Sequence, residues 1–253
     1  VIIVNQLNSP SEFLQELKKR TNLLVTIDDA GPGAVVADIR FNPEYYLPDS
    51  YFGPEFVPLR QEFQDFNKKN KESKKQVESI LVTLGGSDTY GFLPKVVQAL
   101  SGIPKTIEVK VIIGPAFNHH TQLDEVIKRA NRPFTVLKSI TNMAEFLFNS
   151  DLVVCSAGLT LFEAACVGTP AVVVCGELFE EETAKMMKKN GFGINLGFGK
   201  NIIERIIFKK TLDLIMDFDR RKKMSQIGRK LVTGCGCERI AKIILEGAKL
   251  SKK

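Results

Sequence analysis

Runs of nearly uninterrupted apolar residues alternate along the chain with segments whose apolar residues recur at helical spacing. The apolar runs are VIIVN, LLVTI, SILVTLG, IEVKVIIG, FTVLK, LVVCS and PAVVVC, at residues 1–5, 23–27, 79–85, 107–114, 134–138, 152–156 and 170–175. Such runs are typical of parallel strands that are buried on both faces. The alternation of strand and helix therefore predicts an α/β fold with a doubly wound sheet.

A change in composition divides the chain. Segment 61–78, QEFQDFNKKNKESKKQVE, is polar and rich in lysine, so we predict a linker there. Residues 79–235 hold enough strands and helices for a complete α/β domain. Residues 1–60 hold two or three strands and one clear helix, too few to cover both faces of a sheet. We therefore expect a partial N-terminal α/β domain at 1–60, with further residues upstream of Val1 in the whole protein.

Charge and cysteine content narrow the class of protein. The 253 residues carry a formal net charge of +6, concentrated in KKNKESKK and DRRKK without interleaved aromatic residues, so no nucleic-acid partner is expected. No apolar run reaches the ~20 residues of a membrane span. Five cysteines and no secretory signal favour a cytoplasmic protein with reduced thiols. The pair Cys235 and Cys237 lacks the second half of a zinc site, so no metal is expected.

A first small-residue loop, LGGSD, follows the predicted strand at 79–84 and contains Gly85, Gly86, Ser87 and Asp88. Glycines let the backbone approach a ligand, and the helix that follows offers N–H groups to an anion. The loop is not a P-loop, because no Gly-Lys-Ser/Thr sequence follows. A structural tight turn explains this loop equally well.

A second small-residue turn leads from the strand ending at Cys155 into a helix. Its residues are Ser156, Ala157, Gly158, Leu159 and Thr160. Glu163 follows three residues after Thr160, so the two could form a capping box. Alternatively, the turn holds a diphosphate and Glu163 accepts both hydroxyl groups of a ribose. Because ligands of open α/β sheets bind outside the carboxyl ends of the strands, the first loop favours this second interpretation.

Asp28 and Asp29 close the apolar run at 23–27. Neighbouring side chains of a strand point to opposite faces, so the pair cannot act together on one substrate atom or bind a metal alone. We predict a structural role, in which a carboxylate caps the next turn or accepts backbone N–H groups. A supporting role near a cleft is the alternative.

The stretch SITNMAEFLFNSDLVVCSAGLTLFEAACVGTPAVVV resembles the C-terminal nucleotide-binding domain of GT-B glycosyltransferases of family 28. The resemblance implies that Ile140 contacts uracil through its backbone, with Met143 nearby, that the turn at 156–160 holds the diphosphate, and that Glu163 holds the ribose. It also implies two Rossmann-like domains facing a cleft, with a C-terminal helix at 236–253 packing back towards the N-terminal half. GPEFVPLRQEF, ILVTLGGSD and TGCGCERIAKIIL narrow the resemblance to UDP-sugar hydrolases of pseudaminic acid biosynthesis and their spore-coat polysaccharide relatives.

The resemblance implies a hydrolase that releases UDP from the UDP-sugar of an amino-deoxy sugar, for surface polysaccharide or nonulosonic acid biosynthesis. A UDP-sugar-dependent glycosyltransferase and a non-catalytic nucleotide-sugar-binding subunit are the alternatives. No cofactor is implied, and the oligomeric state stays open. The family's general base, a histidine, is expected upstream of Val1, so this chain alone is expected to be inactive.

The chain departs from the resemblance after Cys175. Relatives offer asparagine or glutamine amides to the sugar donor there, whereas this chain reads ELFEEET at 177–183. Glu180 and Glu181 would repel a diphosphate unless they turn away from it or accept sugar hydroxyl groups.

Overall fold

The computed structural model of the chain describes residues 1–44, 46–138 and 140–250. The chain divides into two compact units. The first unit contains Val1–Arg60 together with the segment from Thr233 onward, and the second unit contains Gln61–Val232. Each unit has its own sheet, with three strands in the first and six in the second over the described residues. Every strand pairing in both sheets is parallel, so the predicted α/β class is confirmed.

Strands and helices alternate over most of the described residues. The strands are β1 (Ile2–Asn5), β2 (Leu24–Ile27), β3 (Ile39–Phe41), β4 (Ser79–Thr83), β5 (Glu108–Ile113), β6 (Thr135–Lys138), β7 (Leu152–Cys155), β8 (Ala171–Cys175) and β9 (Ile194–Phe198). The α-helices are α1 (Ser11–Lys18), α2 (Gln61–Lys68), α3 (Phe92–Leu100), α4 (His120–Arg129), α5 (Met143–Asn149), α6 (Leu159–Val167), α7 (Glu180–Lys189), α8 (Glu204–Met216), α9 (Phe218–Leu231) and α10 (Gly236–Leu250).

The sheet of the first unit has the order β1-β2-β3, and its central strand is covered on both faces. On one face, Leu23, Val25 and Phe41 pack against Ile240 and Ile244 of α10. The two isoleucines are four residues apart, so they share one side of the helix. On the other face, residues of β1, α1 and β2 form a second cluster, consisting of Val4, Leu14 and Leu24. The C-terminal helix is therefore part of the first unit, and its last predicted residues, 251–253, lie outside the described residues.

The sheet of the second unit has the order β6-β5-β4-β7-β8-β9. The chain starts at the central strand β4, winds outward to β6, returns to β7 beside β4, and winds outward again. This is the order of a dinucleotide-binding fold, in which the crevice between the two halves opens at the carboxyl ends of the two central strands. The switch point of this sheet lies between β4 and β7.

Segment 61–78 is not a linker over its first half. Residues Gln61–Lys68 form α2, which belongs to the second unit and buries Phe63 and Gln64. The side-chain amide of Asn67 donates a hydrogen bond to the carbonyl oxygen of Cys166 at 2.7 Å. The polar composition led to the wrong prediction of a linker. A helix needs only one buried face to pack against the domain, and Phe63 and Gln64 provide that face here.

Arg221 of α9 is a buried cation, with 2% of its surface exposed. Its Nη1 donates hydrogen bonds to the carbonyl oxygens of Leu214, at 2.9 Å, and Ile215. Its Nη2 donates to the carbonyl oxygens of Lys74 and Lys75, at 3.0 and 2.9 Å. One guanidinium group thus joins the C-terminal end of α8 to the segment that leads into β4.

Asp29 has the structural role predicted for the acidic pair. It is fully buried, and its Oδ1 accepts hydrogen bonds from the backbone N–H groups of Ser9, at 3.0 Å, and Gly31, at 2.8 Å. Asp28 differs, because its backbone has φ 57° and its Oδ1 is buried with no hydrogen-bond partner among the described residues. Burial raises the pKa of the Asp28 carboxyl group from 3.8 to about 6.

We expect Asp28→Asn to stabilise the protein at pH 8 and to leave its stability unchanged at pH 4. The raised pKa means that the folded chain holds a proton that the unfolded chain has released, so the free energy of unfolding falls as pH rises from about 4 to 6. A pKa rise from 3.8 to about 6 corresponds to about 3 kcal/mol, and partial exposure of Asp28 to solvent reduces the expected gain to about 1–2 kcal/mol above that window. Asparagine also tolerates a positive φ. Thermal melts at both pH values measure the effect.

Asp49 provides the matched control, because its φ is 56° and its side chain is 95% exposed. Asp49→Asn should change the melting temperature little at either pH. An equal gain from Asp28→Asn at pH 4 and pH 8 would contradict the electrostatic explanation.

Candidate functional site

Three strand ends of the second unit converge at its switch point. A side chain added at Gly85, after β4, would meet Ser156 Oγ, after β7, at 3.7 Å. One added at Gly176, after β8, would meet Ser156 Cβ at 3.8 Å. The two loops predicted from the sequence therefore lie side by side, and the turn after β8 joins them.

The first loop presents part of its backbone to solvent. Gly85 is half-buried with φ 83°, a conformation that favours glycine, and Gly86 and Ser87 are exposed. The carboxylate of Asp88 is used within the fold, since it accepts the N–H groups of Phe92 at 2.9 Å and Leu93 at 2.8 Å. Burial raises the pKa of Asp88, and these two hydrogen bonds oppose the shift. Asp88 thus caps α3, and its contact with a ligand stays a prediction.

The second turn leads directly into α6. The N-cap residue is Gly158, which has no side chain to cap the helix, and Leu159 is the first helical residue. The capping box of Thr160 and Glu163 is therefore wrong, because Thr160 lies inside the helix and Glu163 lies beyond its first turn. Glu163 is 7% exposed. The N-terminal end of α6 leaves its backbone N–H groups directed towards the turn, as in anion-binding helices.

Glu180 takes part in this site in a way that the sequence did not reveal. Its Oε2 accepts the backbone N–H groups of Gly176 at 2.7 Å and Ala157 at 3.2 Å. Burial raises the pKa of Glu180, and the hydrogen bonds from the backbone oppose the shift. The side chain neither turns away nor stays in solvent, being 8% exposed. One sequence feature could have indicated this role. Glu180 is the first residue of α7, and acidic side chains are favoured at the N-terminal end of a helix.

The side chain of Glu181 contacts the end of β9 and not the turn at 156–158. Its Oε1 accepts the backbone N–H of Phe198 at 3.2 Å, so it is tied to the end of β9. The two glutamates that the sequence treats alike thus have different partners.

Ile140 and Met143 lie at the other end of the row of strand termini. Both are half-buried; Ile140 follows β6, and Met143 begins α5. Between β6 and β7 stand β5 and β4, so the separation is three strand spacings, about 14 Å. Only an elongated ligand could contact these residues and the turn at 156–158 together.

The buried thiols beside the turn are poor nucleophiles. Burial raises the pKa of Cys155 and raises that of Cys175 to about 12, so both are thiols at neutral pH. Throughout residues 1–44, 46–138 and 140–250, no three His, Cys, Asp or Glu side chains come together in a way that could hold a metal ion. The helices described for this chain include none with the length and apolar character needed to cross a membrane.

A cavity of about 620 Å³ lies elsewhere in the second unit, between α9 and the segment at 67–73. Two of the four cationic side chains that line it are engaged with the fold. Lys71 Nζ donates to the carbonyl oxygens of Phe148 and Ser150, and Arg229 Nη2 donates to those of Asn67 and Lys69. Ser150 precedes β7, so this cavity lies at the amino end of that strand. Ligands of open α/β sheets bind at the opposite edge, and we place the candidate site at the switch point.

Comparisons with known proteins identify similar chains. Residues 79–227 match the family model described as the glycosyltransferase family 28 C-terminal domain. An uncharacterized protein of Methanocaldococcus jannaschii is 28% identical over 69% of this chain and 40% of its own length. The spore coat polysaccharide biosynthesis protein SpsG of Bacillus subtilis is 25% identical over 96% of this chain and 76% of its own length. The chain thus spans about two-fifths of the first relative and three-quarters of the second.

Solved structures share the fold at low sequence identity. MurG of Acinetobacter baumannii matches with a TM-score of 0.68 at 16% identity, covering 96% of this chain and 73% of its own. The UDP co-structure of MnaA from S. aureus matches with a TM-score of 0.66 at 13% identity, covering 99% of this chain and 75% of its own. The α/β architecture with parallel sheets is therefore that of GT-B proteins.

Proposed function

Because the chain belongs to the glycosyltransferase family 28 C-terminal domain family, we propose that its second unit binds a UDP-sugar and that the whole protein transfers the sugar in surface polysaccharide biosynthesis. The names of SpsG and of the UDP complex of MnaA support the pathway and the nucleotide. The family description names sugar transfer, so hydrolysis, the reaction first expected from the sequence, becomes the second candidate. The pseudaminic acid pathway belongs to that second candidate only.

The observation that carries the proposal is the convergence of the loop at Gly85 with the turn at 156–158, at the N-terminal end of α6. A diphosphate placed there would receive backbone N–H groups and the positive end of the helix dipole. Glu163, buried one turn further into α6, is proposed to accept the ribose hydroxyl groups. Ile140 and Met143, three strand spacings away, are proposed to contact the uracil.

These residues would assist departure of UDP from the sugar. Charge develops on the diphosphate as its bond to the anomeric carbon breaks, and fixed N–H groups stabilise that charge without reorganising. The same groups serve transfer and hydrolysis, since both reactions release UDP and differ in whether an acceptor hydroxyl or water attacks.

Titration calorimetry with UDP, ADP and GDP tests the nucleotide assignment. UDP should bind at least tenfold more tightly than either purine nucleotide, because the proposed base contact is made by backbone groups at Ile140. Equal affinity for all three nucleotides, or no binding, would contradict it. For the whole protein, UDP release from UDP-N-acetylglucosamine that increases with added acceptor sugars supports transfer, and release that is independent of them supports hydrolysis.

A further inference from the structure

The turn proposed to receive a diphosphate already holds an anion that belongs to the chain. Glu180 Oε2 lies 2.7 Å from Gly176 N and 3.2 Å from Ala157 N. A side chain added at Gly158 would meet the other oxygen, Oε1, at 3.2 Å. Carboxylates and phosphates accept hydrogen bonds from the same kind of backbone N–H group. Glu180 therefore occupies two N–H groups, in the turns after β7 and β8, that a phosphate oxygen placed beside the start of α6 would use.

The surroundings of Glu180 disfavour a second negative charge. Glu177 adds negative charge close to its carboxylate, and the buried thiols of Cys155 and Cys175 contribute no cation. Lys185 on the same helix is paired with Glu182 at 2.9 Å. A phosphate group and a charged Glu180 therefore cannot share these N–H groups without strong repulsion.

We propose that Glu180 is a specificity-determining residue, whose carboxylate competes with the ligand's phosphate groups for the N–H groups of Ala157 and Gly176. This inference rests on the proposed function of the site. The competition lowers affinity for a diphosphate while leaving affinity for the uncharged nucleoside unchanged. The site thus distinguishes ligands by the negative charge of the group that binds at this turn. When a diphosphate binds, the Glu180 carboxylate must move away from the two N–H groups or take up a proton.

Glu180→Gln tests the competition, with UDP and uridine as paired ligands. Glutamine keeps the side-chain length and an acceptor oxygen, so the fold should persist, and thermal melts verify it. Titration calorimetry should show UDP bound at least tenfold more tightly by Glu180→Gln than by the unaltered chain, with uridine affinity equal in both. The ligand pair separates the inference from a general change in packing, which would move both affinities.

Glu182→Gln is the matched control, because Glu182 lies on the same helix, carries the same charge and is paired in solvent with Lys185. It should change UDP affinity less than twofold. Unchanged or weaker UDP binding by Glu180→Gln, with uridine still bound, overturns the inference and leaves the proposed function standing. If neither protein binds UDP or uridine, the proposed function is wrong and the inference fails with it.

Discussion

Glu163→Ala is expected to weaken UDP binding by about ten- to a hundredfold. A carboxylate that accepts both ribose hydroxyl groups makes two charge-assisted hydrogen bonds, each contributing at most about 1.5–3 kcal/mol. At about 1.4 kcal/mol per decade of affinity, a ten- to hundredfold loss is about 1.4–2.8 kcal/mol. This is less than the summed maximum of the two bonds, because water can replace the carboxylate in the variant. Glu163 is 7% exposed in α6, close behind the turn at 156–158. Because the position is buried, no exposed side chain could take over its negative charge in the variant.

Titration calorimetry with UDP measures this effect, and thermal melts of the same variant separate binding from folding. Glu163→Gln keeps the size of the buried side chain and should lose a smaller part of the affinity. Glu125→Ala, an exposed change in the middle of α4, should leave UDP affinity unaltered. A Glu163→Ala protein that melts at a lower temperature but binds UDP with full affinity would show that Glu163 only stabilises the helix.

Arg221→Ala is expected to destabilise the second unit by about 3–5 kcal/mol, since losing a buried hydrogen-bond network is among the costliest single changes. The substitution removes the donors of four backbone carbonyl groups, at Leu214, Ile215, Lys74 and Lys75. It also leaves a cavity where a large buried side chain was packed. At about 2–4 °C per kcal/mol for a chain of this size, the melting temperature should fall by roughly 10 °C.

Arg220→Ala is the control for this change, because the neighbouring arginine has an exposed side chain. It should alter the melting temperature by less than about 2 °C, within the usual range of surface substitutions. Arg221→Lys should recover part of the loss, because one ammonium group supplies fewer donors than the planar guanidinium group. A melting temperature unchanged by Arg221→Ala would mean that the carbonyl groups find other donors.

The sequence predicted most strands because parallel strands buried on both faces are continuously apolar. The strand β9 was not predicted, because its sequence INLGF is not a continuous apolar run. It contains a glycine with φ 93°, and its three central residues are half-buried. Helix α2 was missed for a related reason. Six of its eight residues are polar or charged, and Phe63 alone is fully buried among its apolar residues.

The position of the two candidate loops at one edge of the sheet was predictable, because the carboxyl ends of parallel strands lie at the same edge. Their direct adjacency comes from the pairing of β4 with β7, which the structure shows. The partners of Asp88 and Glu180 were not predictable. An aspartate after two glycines can face a ligand or cap the next helix, and packing decides between them. The contact of Glu180 with Ala157 spans 23 residues and depends on how α7 packs beside β8 and β9.

The first unit is discontinuous in sequence, and this fixes the order in which its parts become available during synthesis. Leu23, Val25 and Phe41 are made first, and the isoleucines of α10 that cover them are made about 200 residues later. The second unit is continuous from Gln61 to Val232, so all its strands exist before that cover does. One apolar face of the first sheet therefore stays without its helix while the whole second unit is synthesised, and apolar surface exposed in that interval is prone to aggregation.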